Sequence, residues 1–365
     1  MLIQPWSAEF DDYLHDESRT RGTADSISFP RTEDELRAVL RDLHPSAVPI
    51  TVQGARTGLA AGAVPEGGHV LNLSRMNRCL GLRQDASGTF YLRVQPGLVL
   101  SELRKYLSAK AFPADGWDEP SRAAAARLAE APEQMFPTDP TETSATLGGM
   151  AACNASGARS YRYGAMRDHV HALRLVLADG DVLALERGAC HARGRTLELT
   201  TEGGRRMCVQ LPAYQMPHAK NASGYFAADD MDAVDLVIGS DGTLGIISEL
   251  ELELMPAPAV IWGVSCFFAR ENQAVEATVA ARGRLRHAAA LEYFDPAALD
   301  ILRRARAAGS AFSALPELPA SFGCCLFVEI QAPSEDEAMA DVARLASVVE
   351  AAGGSPCDSW VARTA

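Results

Sequence analysis

The chain has 365 residues, of which 47% are hydrophobic and 22% are charged. This composition is typical of a globular protein with a sizeable core and room for two domains. Acidic residues outnumber basic ones by 47 to 34, which gives a net charge of −13 and argues against nucleic acid as a partner. No apolar run is long enough to span a bilayer, and the acidic N-terminus is unlike a signal peptide. We therefore predict a cytoplasmic protein without a membrane span.

The cysteines are scattered, and none of the eight forms a CxxC pair. Reduced thiols are therefore favoured over a disulfide framework. Cys324 and Cys325 lie in an apolar run that resembles a strand, where neighbouring side chains point to opposite faces. A redox role for this pair is the minor alternative.

The N-terminal part predicts a lead-in segment followed by alternating helix and strands. Residues 1–29 form the lead-in segment. A capping-box pattern then opens an amphipathic helix over 33–43. Strands are predicted over 49–53 and 69–73, with a Gly-rich loop between them.

A hairpin and two further helices are predicted next. The runs 79–84 and 90–95 flank a turn sequence that indicates a hairpin, and 100–109 is predicted to be a helix. Residues 116–134 are rich in Ala, Arg and Glu and predict an exposed helix that is an insertion. Further along, 172–177 and 182–185 predict a second hairpin.

Three Gly-rich stretches carry the functional signal. The first, Gln53 to Gly62, follows a strand, and its successive backbone N–H groups suit a pyrophosphate. The second, Met135 to Gly164, contains a run of small residues that lets the backbone approach something large and flat. The third is a tight turn, Gly239 to Gly245, that leads into a strand. A predicted helix around 229–238 precedes it.

Other nucleotide motifs are missing from the sequence. No GxGxxG opens a helix after a strand, and no Gly-Lys pair is present for a P-loop. The glycines therefore favour a flavin over a nicotinamide or a nucleoside triphosphate.

The ordered set of three loops resembles the FAD-binding domain of the vanillyl-alcohol oxidase / p-cresol methylhydroxylase superfamily. Within it, the chain is most similar to the group of the glycolate oxidase D-subunit, D-lactate dehydrogenase and D-2-hydroxyglutarate dehydrogenase. The resemblance implies an α+β fold: a two-subdomain PCMH-type FAD-binding fold over residues 1–258, and an incomplete ferredoxin-like cap or substrate domain over 259–365. Alternating strands and helices after Val260 agree with such a cap.

The resemblance also implies which residues bind FAD, and that they do so without a covalent bond, since the first loop carries neither His nor Cys. The cofactor-binding residues implied in this way are Gly54, Ala55, Arg56, Thr57, Gly58, Leu59, Gly62, Pro137, Asp139, Pro140, Thr141, Thr146, Gly148, Gly149, Asn154, Ser156, Gly157, Gly239, Gly242, Gly245, Ile246 and Ile247.

The motifs depart from the family pattern in a few places. The family usually has Arg where Gln53 stands and Gly where Arg56 stands. Arg56 is predicted either to contact a phosphate or to point to solvent. The family usually has Pro-Pro-Asp-Pro where this chain has Pro137-Thr138-Asp139-Pro140, and Ser-Glu-Gly where it has Ser240-Asp241-Gly242.

Catalytic candidates come from the loop Tyr214 to Tyr225, which resembles a family loop near the active site. Lys220, one of only three lysines, is either a surface residue or an ammonium group beside the flavin. His218 and Tyr225 are the other candidates. His169 and His171 have a spacing that metal ligands use, but we predict structural or surface histidines and no metal site.

The family has a His-rich, metal-binding segment after its cap, and this chain contains no such run. A truncated product, a fragment or one part of a split enzyme is therefore expected. The resemblance implies an FAD-dependent oxidoreductase that oxidises a small 2-hydroxy acid to a 2-oxo acid by hydride transfer to flavin N5, with an electron acceptor or partner subunit. The alternatives are an enzyme like alkylglycerone-phosphate synthase, or a catalytically incomplete flavin-binding subunit that needs a partner chain.

Overall fold

The computed structural model describes residues 2–222, 224–309 and 311–363. Its packing divides the chain into two units. The first unit holds Met1–Gly157 and Ala165–Pro256, and the second holds Ala158–Gly164 and Ala257–Ala365. The sequence did not assign the short segment 158–164 to the second unit.

The helices and strands are numbered in chain order across both units. The helices are α1 (Glu33–Leu43), α2 (Leu100–Ala109), α3 (Glu119–Glu130), α4 (Leu147–Ala152), α5 (Ser160–Tyr163), α6 (Ala233–Val237), α7 (Glu271–Arg284), α8 (Pro296–Ala307) and α9 (Glu335–Ala351). The strands are β1 (Ile3–Pro5), β2 (Ser26–Ser28), β3 (Ile50–Gln53), β4 (His69–Asn72), β5 (Cys79–Gln84), β6 (Phe90–Val94), β7 (Gln134–Met135), β8 (Val170–Val176), β9 (Val182–Glu186), β10 (Thr196–Thr200), β11 (Arg206–Gln210), β12 (Ile246–Glu253), β13 (Met255–Pro256), β14 (Val260–Phe268), β15 (Ala288–Phe294), β16 (Cys324–Ala332) and β17 (Trp360–Arg363).

A four-stranded sheet of order β1-β2-β4-β3 opens the first unit. Strands β2, β4 and β3 run parallel, and β1 is antiparallel to β2. Thr32 caps the start of α1, because its Oγ1 accepts from the Glu35 N–H at 3.2 Å. The Glu35 carboxylate accepts from the Arg31 N–H rather than from the Thr32 N–H, so half of the predicted capping box is formed. Helix α1 buries its apolar face in a core that it shares with β4. This sheet carries the first Gly-rich loop at the end of β3.

An antiparallel sheet of order β5-β6-β12-β8-β9 forms the larger part of the first unit. It contains both predicted hairpins, β5–β6 and β8–β9. One face packs in the main core, while the other carries paired charges: Arg83 binds both carboxylate oxygens of Glu251, at 2.9 and 2.6 Å. Strand β12 therefore holds a largely buried glutamate, which is paired as a buried charge must be.

Helix α3 corrects the prediction of an exposed insertion. Ser121, Ala124 and Leu128 lie on one buried face of the helix, which packs against β5. Trp117, just before the helix, is buried and donates its indole N–H to the Cys79 carbonyl oxygen at 2.9 Å. Short Ala side chains hid this amphipathic face in the sequence, since they mark a buried helix surface only weakly.

The second unit is a four-stranded antiparallel sheet of order β15-β16-β14-β17 with α7 and α9 packed against it. Taken in chain order, its strands lie in the order 2-3-1-4, which is the strand order of a ferredoxin-like unit, with α8 as an addition between the second and third strands. The predicted fold class is thereby confirmed. Short helix α5 contacts β15, and Arg159 Nε pairs with Glu329 Oε1 on β16 at 2.7 Å.

Burial bears on the redox alternative for the adjacent cysteines. Cys324 and Cys325 are both buried, and burial raises the pKa of the Cys325 thiol to about 12, which disfavours a reactive thiolate.

Among the helices in residues 2–222, 224–309 and 311–363, none combines the length and the apolar character needed to cross a membrane.

Candidate cofactor-binding site

The three Gly-rich stretches meet at one pocket in the first unit. The pocket is bounded by the end of β3, by α4 and by the turn that precedes β12. Its lining combines glycine backbone with an apolar floor and consists of Val52, Gly54, Leu73, Pro96, Thr146, Gly148, Gly149, Ala152, Ser240, Asp241, Gly242, Gly245, Ile246 and Ile247. The structure thus brings together residues that are almost 200 positions apart in the sequence.

Two glycines allow the walls of the pocket to approach each other closely. A Cβ atom on Gly54 would lie 2.1 Å from Thr146 Oγ1, and one on Gly148 would lie 2.4 Å from Pro96 Cβ. Both distances are shorter than real carbon contacts, so neither position has room for a side chain. The close packing leaves backbone and small residues, rather than long side chains, facing the pocket.

Gln53 shapes the loop that follows β3. Its side chain is fully buried, and Nε2 donates to the carbonyl oxygens of Tyr13 and Ala63, each at 2.7 Å. Asn72 Nδ2 donates to Gln53 Oε1 and to the Gly54 carbonyl oxygen, both at 3.4 Å. Gln53 therefore joins the two ends of the loop 54–62 to the lead-in segment.

Within this loop, the Arg56 side chain contacts the lead-in segment. Its guanidinium group donates to the Asp12 carbonyl oxygen and lies over the Tyr13 ring, 4.6 Å from the ring centroid. Its backbone is left-handed, with φ +60°. Positions Gly58 and Gly62 face open space, so the middle of the loop is accessible from outside the protein.

The C-terminal end of α4 is tied to the turn before β12. The Gly239 N–H donates to the Ala151 carbonyl oxygen at 3.0 Å, and the Asp241 N–H donates to the Ala152 carbonyl oxygen at 2.8 Å. Asp241 has a left-handed backbone, with φ +50°, and burial raises the pKa of its carboxyl group. These two bonds hold two walls of the pocket together.

Arg167 connects Asn154 to the same turn, and sequence reasoning missed it. Asn154, with φ +49°, accepts at Oδ1 from the Arg167 N–H at 3.0 Å. The Arg167 guanidinium donates to the carbonyl oxygens of Asp235 and Ile238 at the end of α6, where a cation is favourable. It also lies 4.4 Å from the centroid of the Phe226 ring. Burial lowers the pKa of Arg167, against the opposing effect of Asp235.

The segment Pro137–Thr141 lies near the start of the second stretch and contacts Gly157 later in the same stretch. It is not part of the pocket lining described above. A Cβ atom on Gly157 would lie 1.5 Å from the Asp139 carbonyl oxygen, so these two chain segments touch through backbone. Arg104 Nη2 pairs with Asp139 Oδ1 at 2.5 Å. Thr138 is fully buried.

Of the catalytic candidates, hydrogen bonds link Tyr225 to the pocket. Its hydroxyl lies 2.7 Å from Thr243 Oγ1, in the turn that lines the pocket, and its carbonyl oxygen accepts from the Tyr214 hydroxyl. His218 and Lys220 are exposed side chains on the preceding loop. His171 Nε2 lies 3.6 Å from Glu186 and 3.8 Å from Glu251, and its ring packs on Tyr91.

The chemical character of the pocket lining suits a flavin nucleotide, which the sequence implies. Glycine and other small residues allow the backbone N–H groups to approach phosphate oxygens, and the apolar floor of Val52, Leu73 and Ile246 suits an aromatic ring. Of the loop 54–62, Gly54 lines the pocket, beside residues of α4 and of the turn 239–247.

Comparison with known families agrees with this geometry. The FAD binding domain family matches residues 24–116 and 121–186, and the family of FAD linked oxidases, C-terminal domain, matches residues 257–364. The chain belongs to the FAD-linked oxidases, and its cofactor is FAD. Within that class it groups with the D-lactate dehydrogenases, glycolate oxidase subunits and D-2-hydroxyglutarate dehydrogenases, which is the PCMH-type group that its motifs resemble.

Three relatives illustrate the similarity. A D-lactate dehydrogenase of Anaerostipes hadrus is 32% identical over 265 residues, covering 72% of this chain and 43% of the relative. The glycolate oxidase subunit GlcD of Bacillus subtilis is 29% identical over 64% of this chain and 37% of its own. The mitochondrial D-2-hydroxyglutarate dehydrogenase of Bos taurus is 29% identical over 66% of this chain and 34% of its own. The chain spans less than half the length of these relatives.

Among solved structures, an alkyldihydroxyacetonephosphate synthase aligns with a TM-score of 0.64 at 16% identity. The alignment covers 99% of this chain and 57% of the synthase chain. At this identity the likeness shows a shared fold.

Proposed function

We propose that this chain is an FAD-linked oxidoreductase, or the flavin-binding part of one, that oxidises a small 2-hydroxy acid to the 2-oxo acid. The observation that carries the proposal is the single pocket formed by three Gly-rich stretches in a chain similar to D-lactate and D-2-hydroxyglutarate dehydrogenases. Eight of the 22 cofactor residues implied by the resemblance line this pocket: Gly54, Thr146, Gly148, Gly149, Gly242, Gly245, Ile246 and Ile247. The FAD is non-covalent in this proposal.

The reaction removes two electrons and two protons from the substrate. The α-carbon loses its hydrogen with the bonding electron pair, the hydroxyl group loses a proton, and a carbonyl group forms. Bound FAD supplies the two-electron acceptor, and a second acceptor or a partner subunit takes the electrons onward.

Three residues of the 214–225 loop are assigned supporting roles in this proposal. Tyr225 is favoured by its hydrogen bond to Thr243 in the turn that lines the pocket. The Lys220 ammonium would stabilise negative charge that develops during reduction, and His218 is the candidate for accepting the hydroxyl proton.

The alkyldihydroxyacetonephosphate synthase reading gains no further support, because the similarity at 16% identity concerns the fold. A flavin-binding subunit that needs a partner chain remains the other alternative from the sequence. We also propose that the protein is cytoplasmic. The domain boundary is proposed to lie at 258/259, and the second unit is proposed to take part in substrate binding.

Anaerobic mixing of the purified, FAD-loaded chain with glycolate, D-lactate or D-2-hydroxyglutarate tests the proposal. We expect at least one of them to remove the visible absorption of the oxidised flavin, with L-lactate as the stereochemical control for D-lactate. A flavin that stays oxidised with all of them would contradict the substrate class. Reduction only after a second polypeptide is added would favour the partner-dependent alternative.

A further inference from the structure

Arg167 lies where three chain segments that line or border the cofactor pocket come together. Its backbone N–H donates to Asn154 Oδ1 at 3.0 Å, and Asn154 follows α4, which lines the pocket. The guanidinium group donates to the carbonyl oxygens of Asp235 and Ile238, just before the turn that leads into β12. The guanidinium carbon also lies 4.4 Å from the centroid of the Phe226 ring. The side chain therefore contacts two of the segments, and the backbone contacts the third.

The contact with Ile238 acts on one wall of the pocket. Ile238 is followed directly by Gly239 and then by Ser240, which lines the pocket. A Cβ atom on Gly239 would lie 3.2 Å from Asn154 Cβ and 3.3 Å from Arg167 Nη2, so the backbone of the turn packs against both side chains. The guanidinium group thus helps to fix the start of the turn at its distance from the segment that follows α4.

The contact with Phe226 acts on the loop that carries the catalytic candidates. Tyr225 precedes Phe226, and its hydroxyl lies 2.7 Å from Thr243 Oγ1. Thr243 Oγ1 in turn donates to the Ser240 carbonyl oxygen at 2.6 Å. A guanidinium group over an aromatic ring is attractive, so two adjacent residues attach the end of the loop 214–225 to the surroundings of the pocket.

The simplest alternative is that Arg167 only neutralises the Asp235 carboxylate. Arg187 already does so at closer range, since its Nη2 lies 3.0 Å from Asp235 Oδ1, whereas Arg167 Nη1 lies 3.7 Å from the same oxygen. The Arg167 side chain is 15% exposed, and burial of a guanidinium group is costly unless its N–H groups are hydrogen-bonded. Here they bond carbonyl groups at the end of α6, which a helix leaves without donors of its own.

We infer that Arg167 is a positioning residue of the flavin site, which fixes the turn before β12 and the end of the loop 214–225 relative to α4. The inference rests on the FAD pocket of the proposed function and is independent of the substrate class. Arg167 acts through the segments that it joins, so its loss should weaken FAD binding and change the surroundings of the bound flavin.

Arg167→Met tests the inference, because it keeps a long side chain and removes the hydrogen-bond donors. The dissociation constant of FAD is measured from flavin fluorescence after dilution of each purified holoprotein. We expect Arg167→Met to weaken FAD binding about tenfold, which corresponds to about 1.4 kcal/mol. Arg167→Lys keeps the charge but replaces the planar fork by a single ammonium group, and its affinity should fall between those of Arg167→Met and the parent.

Arg187→Met is the matched control. It removes a guanidinium group that pairs with the same Asp235 and donates to the carbonyl oxygens of Val170 and Arg167, neither of which is among the pocket-lining residues given above. Urea unfolding should show a loss of stability in both Met variants. FAD affinity in Arg187→Met should nevertheless stay within about twofold of the parent.

Visible circular dichroism of the FAD-saturated proteins gives a second readout, since it reports on the surroundings of the flavin. The flavin signal should change in Arg167→Met and match the parent in Arg187→Met. Parental FAD affinity or a parental flavin signal in Arg167→Met would overturn the inference, and so would equal weakening by the two Met variants. If Arg167→Met does not fold, Arg167→Lys and Arg187→Lys provide the same comparison. The proposed function is tested separately, by whether hydroxy acids reduce the parent holoprotein.

Discussion

Gln53 is the residue on which the loop 54–62 depends most directly. It is fully buried, and its amide nitrogen bonds two backbone carbonyl oxygens that belong to different segments. We expect Gln53→Leu to leave both carbonyl oxygens without this donor and to loosen the loop. FAD binding should weaken about tenfold, or about 1.4 kcal/mol.

The measurement for Gln53→Leu is the dissociation constant of FAD. Gln210→Leu is the control, because Gln210 is an exposed glutamine on β11, and its affinity for FAD should equal that of the parent. Unchanged affinity in Gln53→Leu would show that the loop holds its conformation without this side chain.

His69 gives the first unit a pH dependence. It lies buried in β4 between the hydroxyl groups of Ser26 and Ser28, at 2.9 and 2.8 Å from its ring nitrogens. Burial lowers the pKa of His69 from 6.5 to about 4, so the folded protein keeps the imidazole neutral. The unfolded chain binds a proton more readily, and stability therefore falls as the pH drops from about 6.5 to about 4, by about 3 kcal/mol in total.

Urea unfolding at a series of pH values checks this expectation. His69→Gln should remove most of the loss of stability over that range, whereas replacement of the exposed His44 by Gln should retain it. An identical slope in the parent and in His69→Gln would contradict a neutral, buried His69.

At the scale of elements, Gly148 lets helix α4 pack closely against Pro96. A Cβ atom on Gly148 would meet Pro96 at 2.4 Å, whereas one on Gly283 in α7 would meet nothing within 4 Å. Helix propensity alone favours alanine at both positions by about 1 kcal/mol. We expect Gly283→Ala to raise the free energy of unfolding and Gly148→Ala to lower it by about 1–3 kcal/mol. Thermal unfolding of both variants would show this opposite sign, and stabilisation by Gly148→Ala would contradict the close approach of α4 to Pro96.

Helix α3 is part of the core rather than an exposed addition. Leu128 is fully buried in the main cluster, so Leu128→Ala should lower the free energy of unfolding by about 2–5 kcal/mol. Arg122 is on the exposed face of the same helix, and Arg122→Ala should change stability by less than about 0.5 kcal/mol. Denaturant unfolding measures both effects. Equally small changes for the two substitutions would contradict the burial of α3 and favour an exposed insertion.

The sequence predicted most elements because their patterns are local. The Thr32 cap of α1, the two hairpins and the strand and helix alternation after Val260 each depend on neighbouring residues, and each appears in the structure. The predicted helix around 229–238 is shorter, because Asp232 caps it and α6 begins at Ala233. A helix start within a polar loop is set by such a single side chain.

The candidate site was predictable from the sequence where a glycine is needed because two chain segments approach closely, as at Gly54 and Gly148. It was not predictable where a side chain acts across a long distance in sequence. Arg167 joins Asn154 to Ile238, and the Gln53 side chain joins Tyr13 to Ala63. Neither arrangement leaves a local pattern, because both depend on how the sheets bring distant loops together.

At the scale of the whole molecule, the central proposal is that the first unit binds FAD non-covalently. The visible absorption spectrum of the purified chain, followed by acid precipitation, tests this claim most directly. We predict a yellow protein with flavin absorption that releases FAD into the supernatant. Colour that stays with the pellet would contradict the non-covalent attachment, and a folded, colourless protein that cannot be reconstituted with FAD would contradict the cofactor site itself.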